Sequence, residues 1–155
     1  MVSVYAAKEK NLSASEVRAL YEIIIKAYAD TEYQMWGQNY VRVSFSDFQK
    51  FIDADQILVA FLNDKIAGGI RYYPLDDHTF SFGLFGADFS QSGQGIGRSL
   101  IDAVEIRVRK SGGTAIKIEI LRARDFEIPI KIKLHNWYQS IGYTFVGSVS
   151  FEDKF

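Results

Sequence analysis

Residues 90–100 read SQSGQGIGRSL, with Gly93, Gly95 and Gly97 alternating through the middle. Directly behind them Ile96, Leu100, Ala103, Val104 and Val108 recur at helical spacing, the pattern of an amphipathic helix. A chain sets glycines at the mouth of a helix because the turn is tight, or because the backbone must approach something with no room for side chains. A helix N-terminus presents unpaired N–H groups and a partial positive charge. With glycines in front it can wrap an anion such as a phosphate, here with donors between Gly93 and Arg98. Two nucleotide readings fail on spacing. A Walker A loop needs Gly-Lys-Ser/Thr, and Gly97 is followed by Arg98 and Ser99. A dinucleotide fingerprint needs G-x-G-x-x-G after the first strand of a βαβ unit, and this stretch is G-x-G-x-G, late in the chain.

The flanking elements follow from periodicity and turn chemistry. Upstream, QILVAFL, KIAGGIRYY and TFSFGLFGADF read as an antiparallel meander, turned at Asn63-Asp64 and broken at PLDDH. Downstream, SGG ends the helix, with Gly112 or Gly113 suited to a left-handed cap. TAIKIEIL alternates as a strand, ARDFEIP is a loop, IKIKLHNWYQSIG is a helix stopping at Gly142, and YTFVGSVSFED is a last strand. Towards the N-terminus, VSVYAA reads as the first strand. LSASEVRALYEIIIKAYAD opens with a capping box, Ser13 with Glu16 three residues on. TEYQMWGQNYVRV reads as irregular, and SFSDFQKFIDAD as a short helix capped by Ser44. The order is β-α-α-β-β-β-α-β-α-β. The strand, helix, strand unit around residues 80–121 implies a parallel pair with a right-handed crossover. The fold class is α/β: a mixed twisted sheet of about six strands flanked by helices.

The chain has 155 residues, which fits one domain, 1–155, with a full core. It is 48% apolar and 24% charged with a formal net charge of −1, so no electrostatic footprint for nucleic acid or an anionic membrane is present. It has no cysteine, which excludes disulfides, thiolate metal sites and a cysteine nucleophile. With His78 and His135 its only histidines, no metal site is expected. MVSVYAAKEK has no long apolar segment, so no secretory signal is expected. No apolar run approaches the roughly 18 residues of a membrane span. The expected location is the cytoplasm. Aromatics make up 15% of the chain, which suits large packed surfaces or a stacking pocket and leaves room for a homodimer surface.

SGQGIGRSL resembles motif A of the GNAT superfamily of N-acetyltransferases, Arg/Gln-x-x-Gly-x-Gly/Ala, whose loop binds the pyrophosphate of acetyl-CoA. Gly95, Ile96 and Gly97 match; Ser92 stands where Arg or Gln is usual. WYQSIGY is similar to the family's Tyr-x-x-x-Gly-Phe/Tyr segment, with Tyr138, Gly142 and Tyr143 in register. The element order agrees with the GNAT fold over nearly the whole chain, with little length left for the usual seventh strand. The resemblance implies a single acyltransferase domain using acetyl-CoA, with a small-molecule or peptide amine attacking the thioester directly. The missing cysteine agrees, because the commonest covalent relay residue is absent. The resemblance also implies that Ser92, Gly93, Gln94, Gly95, Ile96, Gly97 and Arg98 hold the pyrophosphate. Phe85, Gly86 and Ala87 would then offer backbone groups to the pantetheine arm. A non-catalytic acyl-CoA-binding or interaction module on the same fold stays open, since fold does not fix function.

Each candidate has a packing reading beside the chemical one. Gly83 and Gly86 mark a bulge or a close backbone approach, or they relieve crowding among Phe80, Phe82, Phe85 and Phe89. Tyr138 matches the residue that, in many members, protonates the departing CoA thiolate. A phenol suits this, its pKa lying near or above that of a thiol. Leu134, Trp137, Tyr138 and Ile141 also form an apolar helical stripe. Glu119 is the candidate base for the amine, directly or through water, and shares its strand face with Lys117 as a pairing partner. Asp88 and Glu32 are weaker base candidates. Lys131 stands where many members carry Asn, and could reach the CoA phosphates or be solvated; His135 reads as a surface or packing histidine. EYQMWGQNY reads as an acceptor loop, or as a loop pinned to the sheet by its aromatics.

Overall fold

A computed structural model describes residues 1–36, 43–88, 93–118 and 136–144, with only the backbone described for 28–36. The chain divides into two compact units, Met1–Glu119 and Ile120–Phe155. The first holds β1 (Val2–Ala6), α1 (Ala7–Lys10), α2 (Ala14–Trp36), α3 (Phe45–Asp53), β2 (Ile57–Leu62), β3 (Lys65–Pro74), β4 (Thr79–Ala87), α4 (Ile96–Lys110) and β5 (Ala115–Ile118). In the second, residues 136–140 are helical.

The local signals set the element boundaries. Ser13 and Glu16 form both halves of a capping box: the Glu16 N–H donates to Ser13 Oγ at 3.2 Å and the Ser13 N–H to Glu16 Oε1 at 2.9 Å. Ser44 caps α3 by accepting from the Asp47 N–H at 3.1 Å. Asn63 and Asp64 turn β2 into β3 with φ of 51° and 69°, as a two-residue type I′ hairpin requires at both central positions. Helix α4 ends in a Schellman motif: the Gly113 N–H donates to Val108 C=O at 2.8 Å and the Gly112 N–H to Arg109 C=O at 3.1 Å. Two features depart from the sequence reading. Helix α2 runs on through TEYQMW to Trp36, where irregular structure was expected, and the single turn α1 follows β1 directly.

The sheet has five described strands in the order β1-β2-β3-β4-β5. The first three pairings are antiparallel, and β4 and β5 are parallel over Thr79–Phe82 and Ala115–Ile118. It is therefore the expected mixed sheet flanked by helices. The predicted last strand falls almost entirely outside the described residues. β2 is buried along its whole length, as a central strand covered on both faces must be. On one face Ile57, Val59 and Phe61 pack with Leu20, Tyr21 and Ile24 of α2 and Phe48 of α3. On the other lies a row of small residues, Ala60, Gly68 and Ala87, paired across three strands. A Cβ on Gly68 would come 3.0 Å from Ile96 Cγ2. The row therefore lets the first turn of α4 seat directly on the sheet. Among the described residues, no helix is long and apolar enough to cross a membrane.

Candidate functional site

The strand leading into the glycine turn is bulged. Gly69 pairs with Gly86 and Arg71 with Gly83, so Leu84 and Phe85 together stand opposite Ile70. Leu84 takes up the irregularity with φ of 48°, a left-handed conformation costing about 1–3 kcal/mol outside glycine. One extra residue exchanges the faces of everything beyond it. Before the bulge, Phe80 lies on the α4 side: a Cβ on Gly113 would meet Phe80 Cδ1 at 2.8 Å and Val108 Cγ1 at 2.5 Å. After it, Leu84 joins the core beneath α2, and a Cβ on Gly86 would sit 3.0 Å from Ile24 Cα. At Gly83, by contrast, a Cβ would meet nothing within 4 Å. The ladder closes where the Asp88 N–H donates to Ala67 C=O at 2.8 Å.

The turn then enters α4. Gly93 and Gly95 have φ of 84° and 78°, the left-handed region that glycine reaches without penalty. Gly95 is the N-cap residue. It supplies no side-chain hydrogen bond, and the first turn holds no acidic residue. The Ser99 N–H takes Gly95 C=O at 3.0 Å, so the N–H groups of Ile96, Gly97 and Arg98 precede the helical ladder and have no acceptor within it. Arg98 is tied to Asp102 at 3.0 Å on the exposed face of the helix. The result is a helix end with no side-chain cap on Gly95 and no acidic residue in its first turn, with Ile96 beside Gly68 and Ala87 of the sheet.

In the second unit, Tyr138 anchors a second Schellman motif. The Tyr143 N–H donates to Tyr138 C=O at 3.0 Å and the Gly142 N–H to Gln139 C=O at 3.2 Å. The rings of Tyr138 and Tyr143 meet edge to face at 6.0 Å, the apolar contact that accompanies such a cap. The Tyr-x-x-x-Gly-Tyr spacing is thus the spacing of a helix stop. Tyr138 is 5% exposed, with Trp137 against its ring at 5.4 Å. Packing explains the ring.

A model of the acetyltransferase (GNAT) family matches residues 18–129, a span that includes the bulged strand, the glycine turn and α4. The chain belongs to the acetyltransferase (GNAT) family. Solved structures share the GNAT fold at low identity. PaiA N-acetyltransferase from Thermoplasma acidophilum, in complex with coenzyme A, has a TM-score of 0.72 at 14% identity, over 97% of this chain and 94% of that one. Ard1 from Thermoplasma volcanium has a TM-score of 0.67 at 14% identity, over 94% and 84%. An aminoglycoside acetyltransferase from an uncultured soil metagenomic sample, in complex with sisomicin, has a TM-score of 0.62 at 18% identity, over 97% and 91%. No curated protein matches the sequence significantly.

Within this GNAT chain, the first unit brings Ala87 and Ile96 together beside Gly68. Phe85 and Gly86 run into that point, and Gly93, Gln94, Gly95, Gly97 and Arg98 surround it in sequence. Ser92, Glu119, Lys131 and His135 lie outside the described residues. Glu32 lies in α2, in the part described by backbone alone. Among the described residues, no group of three or more His, Cys, Asp or Glu could hold a metal. One residue that the motifs do not single out is Arg71, opposite Gly83. Its guanidinium lies over the rings of Phe51 and Tyr73, and burial lowers its pKa from the ordinary arginine value.

Proposed function

We propose that this GNAT protein is an acetyl-CoA-dependent N-acetyltransferase working in the cytoplasm, with residues 1–155 forming one catalytic domain. The observation that carries this reading is the uncapped start of α4 behind two left-handed glycines at the end of a bulged strand. These groups fit an anionic ligand: several N–H donors lie at the helix start, and neither the N-cap residue nor an acidic residue of the first turn competes for them. Acetyl-CoA, when bound, supplies an activated acyl thioester.

The residues divide the remaining work. The N–H groups of Ile96, Gly97 and Arg98 bind the pyrophosphate, and Ser92, Gly93, Gln94 and Gly95 wrap its outer side. Phe85, Gly86 and Ala87 align the pantetheine arm through their backbone. An N–H on this strand also supports the carbonyl oxygen as negative charge develops on it. Glu119 accepts the amine proton, directly or through water. Tyr138 donates its phenolic proton to the departing sulfur, a transfer its pKa permits. Direct attack requires no covalent relay on the protein, and the chain has no cysteine to serve as one. The aminoglycoside acetyltransferase of the same fold supports a small-molecule amine as acceptor.

The test is free-thiol release from acetyl-CoA against a panel of amines, polyamines, amino acids and peptides. Acceptor-dependent release is expected. With the best acceptor, Tyr138→Phe keeps its ring packing and CoA affinity, while kcat and kcat/KM fall together by about 10²-fold. Tight CoA binding with no release for any acceptor would instead make the chain a binding module.

A further inference from the structure

Arg71 is held by two aromatic rings and a hydrogen bond. Its guanidinium carbon lies 3.7 Å from the Phe51 ring centroid and 4.1 Å from that of Tyr73. Its Nε donates to Gln56 Oε1 at 2.9 Å. A guanidinium carries five N–H donors in a rigid fork, and this contact uses one. Among the described residues, Gln56 supplies the one hydrogen bond to the group and no carboxylate pairs with it. Among the described residues, the donors on the two Nη atoms therefore have no acceptor. Burial, the larger effect, weighs against the charge, and Tyr73 partly offsets it.

Among the described residues, the space beside it is open. Gly83 is the residue paired with Arg71 on β4, and a Cβ there would meet nothing within 4 Å. Further along the strand, Gly86 is covered by Ile24 and Ala27 of α2. Among the described residues, the open position at Gly83 thus lies beside the stacked guanidinium, immediately before the bulge at Leu84 and Phe85. A planar carboxylate meets such a fork edge-on with two parallel hydrogen bonds, while the aromatic rings cover the faces of the cation.

We infer that Arg71 anchors the carboxylate of the acceptor, so that the substrate is an amine carrying a carboxylate, an amino acid or a peptide, lying over Gly83 with its amine towards the bulge. The fate of that amine rests on the acyltransferase reading; the carboxylate site does not.

The experiment is isothermal titration of the full chain, CoA-saturated, with the common amino acids and short dipeptides, each against its C-terminal amide, and with inorganic phosphate as a second anion. At least one acid is expected to bind about tenfold or more tighter than its amide, the scale of charge-assisted hydrogen bonds. Arg71→Gln brings that ratio close to one, and Arg71→Lys restores part of it, because an ammonium offers charge without the fork. Gly83→Val is expected to fold, since a Cβ there meets none of the described residues within 4 Å, and to weaken the acid by about tenfold or more by occupying the space beside Arg71. If Arg71→Gln does not fold, Gly83→Val decides. Equal binding of acid and amide, a preference that survives Arg71→Gln, phosphate binding tighter than every carboxylate, or no binding of any amino acid or dipeptide would each overturn the assignment. CoA binding is read first on the same sample. Its absence would sink the acyltransferase reading, and the acid-against-amide comparison on the same chain would still judge Arg71.

Discussion

Gly86 and Gly95 flank the same turn, yet each lacks a side chain for a different reason. At Gly86 a Cβ would sit 3.0 Å from Ile24 Cα and 3.1 Å from Ala27 Cβ. The obstacle is a helix backbone, which cannot rotate aside. At Gly95 a Cβ would meet nothing within 4 Å, but the residue is left-handed at φ 78°. Gly86→Val therefore overpacks the interface between α2 and the sheet, at an expected cost of about 1–3 kcal/mol. Its CoA affinity should fall only as far as the fold is lost. Gly95→Val costs about 1–2 kcal/mol of backbone strain and places a branched side chain where the proposed pyrophosphate lies. Its CoA affinity should fall much further than its stability. Circular dichroism melts and CoA titrations on both variants separate the two. Parallel loss of binding and fold in Gly95→Val would reduce the turn to architecture. In the sequence these glycines look alike, because the contact that distinguishes Gly86 is with Ile24, on a helix far away in the chain.

Among the elements, the features legible in the sequence are those whose partners lie within a few residues. The capping box at Ser13, the N-cap at Ser44, the Asn63-Asp64 hairpin and the helix stops at Gly112 and Gly142 are all closed locally. Ser13→Ala tests one of them: it removes the acceptor for the Glu16 N–H and should lower stability by about 1 kcal/mol, read as a shift in denaturant midpoint at unchanged slope. An unchanged midpoint would mean that the start of α2 is held by its packing alone. Features set at long range were not legible. Aromatic and amide residues in TEYQMW suggested a loop, and α2 nevertheless continues through them. The bulge exists because Gly69 and Gly86 pair beneath α2 while Gly83 pairs with Arg71, and no composition announces a left-handed leucine. Arg71 itself sits in an ordinary-looking strand, IRYY; its isolation depends on Phe51 and Gln56, which only the folded chain brings to it.

For the molecule as a whole, the mixed sheet follows from two periodicities: hairpins join the antiparallel strands, and the single helix between β4 and β5 demands a parallel return. That return places the N-terminus of α4 after β4, and it makes the proposed ligand binding a global property of the fold. The native chain holds the turn, α4 and β4 in one arrangement; an unfolded chain presents no convergent N–H groups. A ligand that binds only the native state stabilises it by mass action, so CoA at about a hundred times its Kd should add about 2.7 kcal/mol. For a chain of this size that raises Tm by roughly 5–11 °C. The gain should weaken as ionic strength rises, because the proposed phosphate contacts would be open to screening. Gly95→Val should lose most of the CoA-dependent rise, whereas Gly86→Val should start from a lower Tm and keep it. Thermal melts of the three proteins with CoA, ATP and NAD check this directly. A Tm unmoved by saturating CoA but raised by ATP or NAD would assign the turn to another class of phosphate ligand.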